Sequence, residues 1–410
     1  MFIPHSILTN IEFQMSLLMF VAFLGYIMSH IFKQPASVGI IVLGIIVGPS
    51  LLGLVTYTDL VASLAQLGAV VLLFAIGLEF EIEEIFKIKY LSIALSGVIV
   101  PWGLGFAVSL AFHYNFNTSV FIGTALAATS IAITAAVLEE LGKLQTKAAK
   151  AILGAAIIDD ILALLALAVS QQLVSGSILP VQLLISFGKA FAFLFIAIIP
   201  IRLLLRRLII WFDTTKIAEK YPETLLILAM MVAFAFSMVA GLVGLSPVVG
   251  SFLAGVCFTG KLFKRSDIFL DGAHHLKVIF ASIFFISLGV LLDARTLTME
   301  LLLFTVALAV VAVISKFLGC GISARLLGFD GKDAKIIGVG MAPRGEVCMV
   351  VALIGLSEGY ITHDVYSVLI LMSLITTLMA PLILRNGLYR PEKFKEVKME
   401  RKSLPFRGGW

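Results

Sequence analysis

The stretch AILGAAIIDDILALLALAV, residues 151–169, places two adjacent carboxylates, Asp159 and Asp160, in the middle of an otherwise apolar run of helical length. An ionised side chain at the centre of a membrane helix costs roughly 2.5 to 3.5 kcal/mol even on the lenient insertion scale, so such a pair is expensive unless something binds it. It reads as an ion or proton site rather than as a structural hydrogen-bond partner. The rest of the chain agrees with a lipid setting. Of its 410 residues 60% are hydrophobic and 13% charged, and its mean hydropathy is +1.09. Soluble proteins average about 45–50% apolar and 25% charged residues. Successive apolar segments of about 20 residues can cross a hydrocarbon core of about 30 Å as helices, and the alternating strands of an outer-membrane barrel do not appear. The expected fold is an all-α integral membrane bundle.

Working outward from 151–169, helices are expected near 11–32, 36–55, 60–80, 90–112, 118–140, 149–174, 182–208, 222–243, 245–260, 275–292, 298–325, 333–357 and 364–386, about thirteen spans in all. Connections after odd-numbered spans carry the cations, among them Lys33, Lys87, Lys89, Lys143, Lys147, Arg206, Arg207, Lys264, Arg265 and Lys332, followed by the tail from Arg385; those after even-numbered spans hold only Arg295. The positive-inside rule then puts the N-terminus outside and the C-terminus in the cytoplasm. The first ten residues lack the basic start of a cleaved signal, so the first run is expected to be a retained helix. The net charge of +5 is explained by topology, since it is spread over loops rather than gathered in a nucleic-acid-binding patch. Cys257, Cys320 and Cys348 lie in apolar segments without CxxC spacing, which points to packing rather than to disulfides or a metal site.

Two spans contain features a plain anchor would not. The fifth has Thr129 and Ser130 at mid-depth among small residues, and the twelfth has Pro343, Arg344, Gly345 and Glu346 at similar depth. Proline removes a backbone donor and clashes with the preceding turn. Non-helical backbone is tolerated there only where protein or a water-filled cavity surrounds it, and the half-helix ends then offer dipoles and free carbonyls to ions. These spans are seven apart, an odd offset, so equivalent elements run in opposite directions, as an inverted repeat requires. Lys316, near the middle of the eleventh span, is expected to pair with an aspartate rather than to snorkel. Structural roles are expected for Arg344 and Glu346, as compensation for half-helix ends or partners of nearby acids. Glu79 closes the third span in a run of acids that either attracts cations or is a solvated helix end. His274 and His275 are expected at an interfacial boundary without a regulatory role.

The runs QPASVGIIVLGIIVGPSLLG (34–53), LLFAIGLEFE (72–81), ATSIAITAAVLEELGKL (128–144), GAAIIDDI (154–161), GLSPVVGSFLAGV (244–256) and MAPRGEV (341–347) together resemble the second branch of the monovalent cation:proton antiporters, the bacterial sodium/proton exchangers and potassium-efflux antiporters. The resemblance implies an inverted-repeat fold with two crossed unwound helices, lodged as a homodimer in the bacterial inner membrane. It also implies dimer-domain helices within 11–80 and 222–292, a linker helix at 182–208, an ion-carrying core within 90–174 and 298–386, and a short basic cytoplasmic tail at 387–410. Residue by residue, it places the essential aspartate on Asp160, its neighbour on Asp159, the polar pair of the first unwound helix on Thr129 and Ser130, and the core lysine on Lys316. Members with two aspartates and this lysine are typically electrogenic sodium/proton exchangers. The chain ends at Trp410 without the glycine-rich unit of a nucleotide-binding domain that potassium-efflux relatives usually carry, which favours the sodium type.

Sodium and potassium are hard cations that prefer oxygen ligands, so Asp160 with Thr129, Ser130 and freed carbonyls makes a suitable metal site. Neighbouring helix positions point about 100° apart, which lets Asp160 serve the cation or proton while Asp159 pairs with Lys316. The transported ions, Na+ or K+ and H+, are cargo, and no cofactor is expected. An intramembrane aspartyl protease needs carboxylates sharing a proton, normally from different helices. A channel needs a continuous polar pore or ionic rings. Neither pattern is present, and a sugar or amino-acid symporter lacks recognition groups for a larger solute. The expected protein is therefore a transporter rather than an enzyme.

Overall fold

A computed structural model of the chain describes residues 10–80, 87–176, 202–258, 266–292 and 298–389, with isolated residues between. The described segments are helical: α1 (Ile11–Phe32), α2 (Ala36–Val47), α3 (Asp59–Gly77), α4 (Ile88–Ala111), α5 (Phe116–Ala127), α6 (Ile131–Glu140), α7 (Lys147–Ser175), α8 (Arg202–Asp213), α9 (Lys216–Lys220), α10 (Thr224–Leu242), α11 (Pro247–Cys257), α12 (Ser266–Val290), α13 (Met299–Lys316), α14 (Ser323–Leu326), α15 (Gly331–Gly340), α16 (Glu346–Ser357) and α17 (His363–Ile383). Among the described residues, nine helical spans are long and apolar enough to cross a membrane. The shorter apolar helices α2, α11 and α16 stand at the expected second, ninth and twelfth places, and the expected seventh span, 182–208, lies largely outside the described residues.

Local chemistry sets the helix ends. Asn10, Asn115, Thr146, Thr298 and Thr362 each cap a helix by accepting a backbone N–H three residues on, which satisfies one of the donors a helix start leaves open. Three boundaries differ from the sequence reading. The second span stops at Val47 instead of 55, because Gly48 is extended and the chain turns through Gly53 at φ 62°. The ninth begins at Pro247, a proline suited to the first helical position, and is only 11 residues long. The tenth begins at Ser266, not 275. Phe269, Ala273 and Lys277 are buried one turn apart, so the polar-looking segment DGAHH is amphipathic helix, and His274 and His275 sit well inside it rather than at its start.

The helices associate in two groups. In one, α12 packs on α2 and α3, α11 packs on α3 and α10, and α1 packs on α2. Contact there depends on small residues: a Cβ at Gly77 would come within 2.3 Å of the Phe252 carbonyl oxygen, and one at Gly255 within 2.2 Å of that of Phe74. In the other group α4 packs on α5, α7 and α13, α5 on α16, and α13 on α17. Its core includes Phe121, Leu126, Phe304, Leu308, Val351 and Met372. Between the groups, α6 touches α2 and α3.

Candidate ion site

α5 and α6 are two halves of one span, separated by the extended residues Ala128 (ψ 144°) and Ser130 (ψ 111°). α15 and α16 are likewise separated by Met341–Gly345, where Pro343 prevents a continuous helix. The two breaks lie against each other. Ser130 N–H donates to the Pro343 carbonyl at 2.9 Å, Thr134 Oγ1 donates to Gly340 O at 2.6 Å, Thr129 Oγ1 to Met341 O at 3.5 Å, and Ser130 Oγ to Glu346 Oε2 at 3.3 Å. Each break thus satisfies backbone groups exposed by the other, which is what unwound chain inside a bilayer demands. Gly345 is required at this crossing: a Cβ there would lie 2.6 Å from Ser130 Oγ and 2.7 Å from Ser130 Cβ. Gly345→Ala is therefore expected to push the breaks apart at a cost of about 1–3 kcal/mol. Transport by the purified variant should fall sharply while its elution as a folded particle in detergent is retained.

α7 packs against all four half-helices and carries both aspartates. The residues are adjacent, so their side chains leave the helix in different directions. Asp159 Oδ1 accepts from Lys316 Nζ at 2.8 Å, and both side chains are excluded from solvent. Asp159 Oδ2 is buried and has no hydrogen-bond partner among the described residues. Asp160, also buried, points elsewhere: its Oδ2 accepts the backbone N–H of Ser246 at 2.9 Å. No hydrogen bond joins Asp160 to Thr129 or Ser130; those residues hold the crossing beside it.

Lys316 ends α13, and the next turn, Phe317–Ile322, is a π-helical widening of the kind often found at functional sites. Ser96 Oγ of α4 donates to the Gly319 carbonyl in that turn at 2.9 Å. Gly97, one residue on, makes room for Cys320: a Cβ there would come within 2.6 Å of Cys320 Sγ, whereas its distances to Lys316 Nζ (3.4 Å) and Asp159 Oδ1 (3.6 Å) are ordinary contacts. Arg344 is wholly buried. Its guanidinium donates to the carbonyls of Met341 (3.3 Å), Ala342 (3.0 Å) and Ala312 (3.3 Å), and its own backbone is held by Thr376 and Thr377. Arg344 therefore closes the carbonyl end of α15, and among the described residues it forms no ion pair with an acid.

Cations from four of the connections expected to be basic come together at one cavity. Lys33, Lys143, Lys332, Arg385 and His274 line a cavity of about 1670 Å³ between the two helix groups. Within it Lys277 of α12 pairs with Glu139 of α6, and Glu140 accepts the Ala36 N–H at the start of α2 through both oxygens, at 2.8 and 2.9 Å. Glu79, just past α3, is coupled to this cluster. Burial and then the Glu139 charge raise its pKa above the usual carboxylate range, while Lys277 opposes them. The roles of Ser246, Ser96, Gly97, Glu139 and Lys277 were missed from sequence. Only Ser246 left a usable sign, as a helix-start Ser-Pro before an apolar run.

Residues 19–387 match the model of the transmembrane sodium/hydrogen exchanger family. The chain belongs to that family. It is 30% identical over 378 residues to the Na(+)/H(+)-K(+) antiporter GerN of Bacillus cereus, covering 91% of this chain and 95% of that one. With the Na(+)/H(+) antiporter of Enterococcus hirae it is 32% identical over 372 residues, covering 88% and 94%. Its fold is similar to a structure of the sodium proton antiporter MjNhaP1 from Methanocaldococcus jannaschii, at a TM-score of 0.70 and 15% identity over 92% of this chain and 96% of that one. The exchanger-family member is thus a multi-pass membrane transporter with the inverted-repeat antiporter fold.

Proposed function

We propose that this exchanger-family protein swaps a monovalent cation, sodium first, for protons by alternating access, with Asp160 as the acid that cation and proton occupy in turn. The observation that carries this reading is a buried aspartate on a helix that packs against both halves of two crossed, broken helices. In this reading the Thr129 and Ser130 hydroxyls and the carbonyls of the two breaks join Asp160 as ligands, a donor set suited to a hard cation. Neutralisation of one carboxylate by either ion, never both, makes the fluxes obligatory partners. Asp159 and Lys316 form a separate charge pair; entry of the cation next door weakens that pair and lets the lysine release a proton. Two protons then move against one cation, and each net charge carried exchanges about 2.3 kcal/mol with a 100 mV potential.

In this reading the α4–α7 and α13–α17 group is the ion-carrying core, corresponding to the expected 90–174 and 298–386. The group holding α1–α3 and α10–α12, within 11–80 and 222–292, is the dimer-forming scaffold. Residues 182–208 link them and 387–410 form the cytoplasmic tail. The protein works as a homodimer in the bacterial inner membrane, N-terminus outside, with the basic cavity facing the cytoplasm. The test is dissipation of an imposed pH gradient in proteoliposomes on adding Na+, Li+ or K+ separately. Rapid dissipation by sodium supports the assignment, dissipation by potassium alone makes it a potassium/proton exchanger, and none with any cation refutes it.

A further inference from the structure

The hydrogen bond from Ser246 to Asp160 joins helices that otherwise belong to different groups. Asp160 is on α7, which packs with α4, α5 and the half-helices. Ser246 immediately precedes α11, which packs on α3 and α10. A tight turn presents its N–H: Gly244 takes a φ of 91°, a left-handed conformation strained for other residues, and Leu245 N–H donates back to Ala240 O at 2.9 Å. Ser246 is extended (φ −59°, ψ 131°), and the helix beyond it begins with Pro247, which has no N–H to offer. The Ser246 amide is therefore the donor at this helix head that meets the carboxylate. Among the neighbouring charged groups, Asp159 is taken by Lys316 and Glu346 accepts from Ser130, so Asp160 is the acid that faces α11.

We propose that the Ser246 amide is a latch holding the core to the scaffold while Asp160 is ionised and empty, and that loading with cation or proton releases it. The inference rests on the assignment of Asp160 above and adds the rule that keeps exchange tight. A hydrogen bond to a charged acceptor is about twice as strong as a neutral one. The empty, charged core is thus held at the scaffold. Once a cation engages the carboxylate oxygens, or a proton neutralises them, the amide loses its charged partner and the core is free to shift. Only loaded cores cross, so neither ion returns alone.

Ser246→Pro removes this donor, and the native φ of −59° already lies in the range proline imposes. Ser246→Ala keeps the amide and removes only the hydroxyl. In proteoliposomes holding a pH gradient in choline thiocyanate, with no transportable cation, Ser246→Pro is expected to leak protons faster than Ser246→Ala by about tenfold, the size expected for one hydrogen bond to a charged group. Equal leak in the two variants overturns the latch. A second measurement needs no variant: exchange of the Ser246 amide with deuterated solvent, resolved by fragmentation mass spectrometry at alkaline pH. It should speed up when saturating sodium replaces choline, and indifference to sodium also overturns the proposal. Sodium-driven dissipation by the unaltered protein reports on antiport itself, so loss of the latch and loss of the antiport reading give different results.

Discussion

Asp160→Asn is expected to reduce cation-driven dissipation of a pH gradient to the level of protein-free liposomes. Asparagine has nearly the same shape, and its carbonyl oxygen can still accept the Ser246 N–H that Asp160 Oδ2 accepts at 2.9 Å, more weakly without the charge, so the bundle stays folded. What disappears is the charge. A neutral amide neither takes up a proton at these pH values nor compensates a bare cation inside low-dielectric protein, where an unpaired charge is costly. Both halves of the exchange are lost together. Retention of exchange by a folded Asp160→Asn protein would move the ion site elsewhere. Binding of sodium by calorimetry should vanish in parallel, which separates loss of the site from a block in motion.

Lys316→Gln has the second large effect, and its first consequence concerns stability. The lysine and Asp159 are both excluded from solvent and joined at 2.8 Å, and Asp159 Oδ2 has no hydrogen-bond partner among the described residues. Removing one member of a buried pair leaves an uncompensated charge and typically costs about 3–5 kcal/mol. The variant's melting temperature in detergent should fall markedly. Combining it with Asp159→Asn should recover much of the loss, because two neutral side chains can stay buried together. A double variant no more stable than the single one would show that the pair contributes nothing through its charges. Transport separates the electrical role: the double variant is expected to carry no current under a sodium gradient in planar-membrane recordings, even where exchange persists.

The cavity between the helix groups adds a structural requirement to any such motion. α6 is tied to α12 by Glu139 and Lys277 and to the start of α2 by Glu140. These links, like the Asp160–Ser246 bond, join helices from the two groups. A shift of the core must break or exchange all of them, and the linking groups are polar, so water entering the cavity can replace what is lost.

Much of the architecture was legible in the chain because lipid makes strong demands on composition. Apolar length located most of the described helices, and the cost of ionised groups at mid-depth drew attention to Asp159, Asp160 and Lys316, which the structure buries. Pro343 and the small residues around Thr129 and Ser130 marked where helices break, since a missing donor is a local property. The boundary error at the tenth span came from an amphipathic segment, 269–278, where polar residues face outward from a helix whose other side is buried.

Only the tertiary structure decided which groups meet. That Arg344 closes carbonyl ends instead of pairing with an acid, and that Glu139 reaches Lys277 across 138 positions of sequence, depends on how distant helices pack. The division of labour between the two aspartates has the same origin: a helix turns successive side chains about 100° apart, but what waits in each direction is supplied by other helices. For Asp160 that partner is a backbone amide, a group every residue except proline possesses. Its significance lies wholly in where the fold puts it.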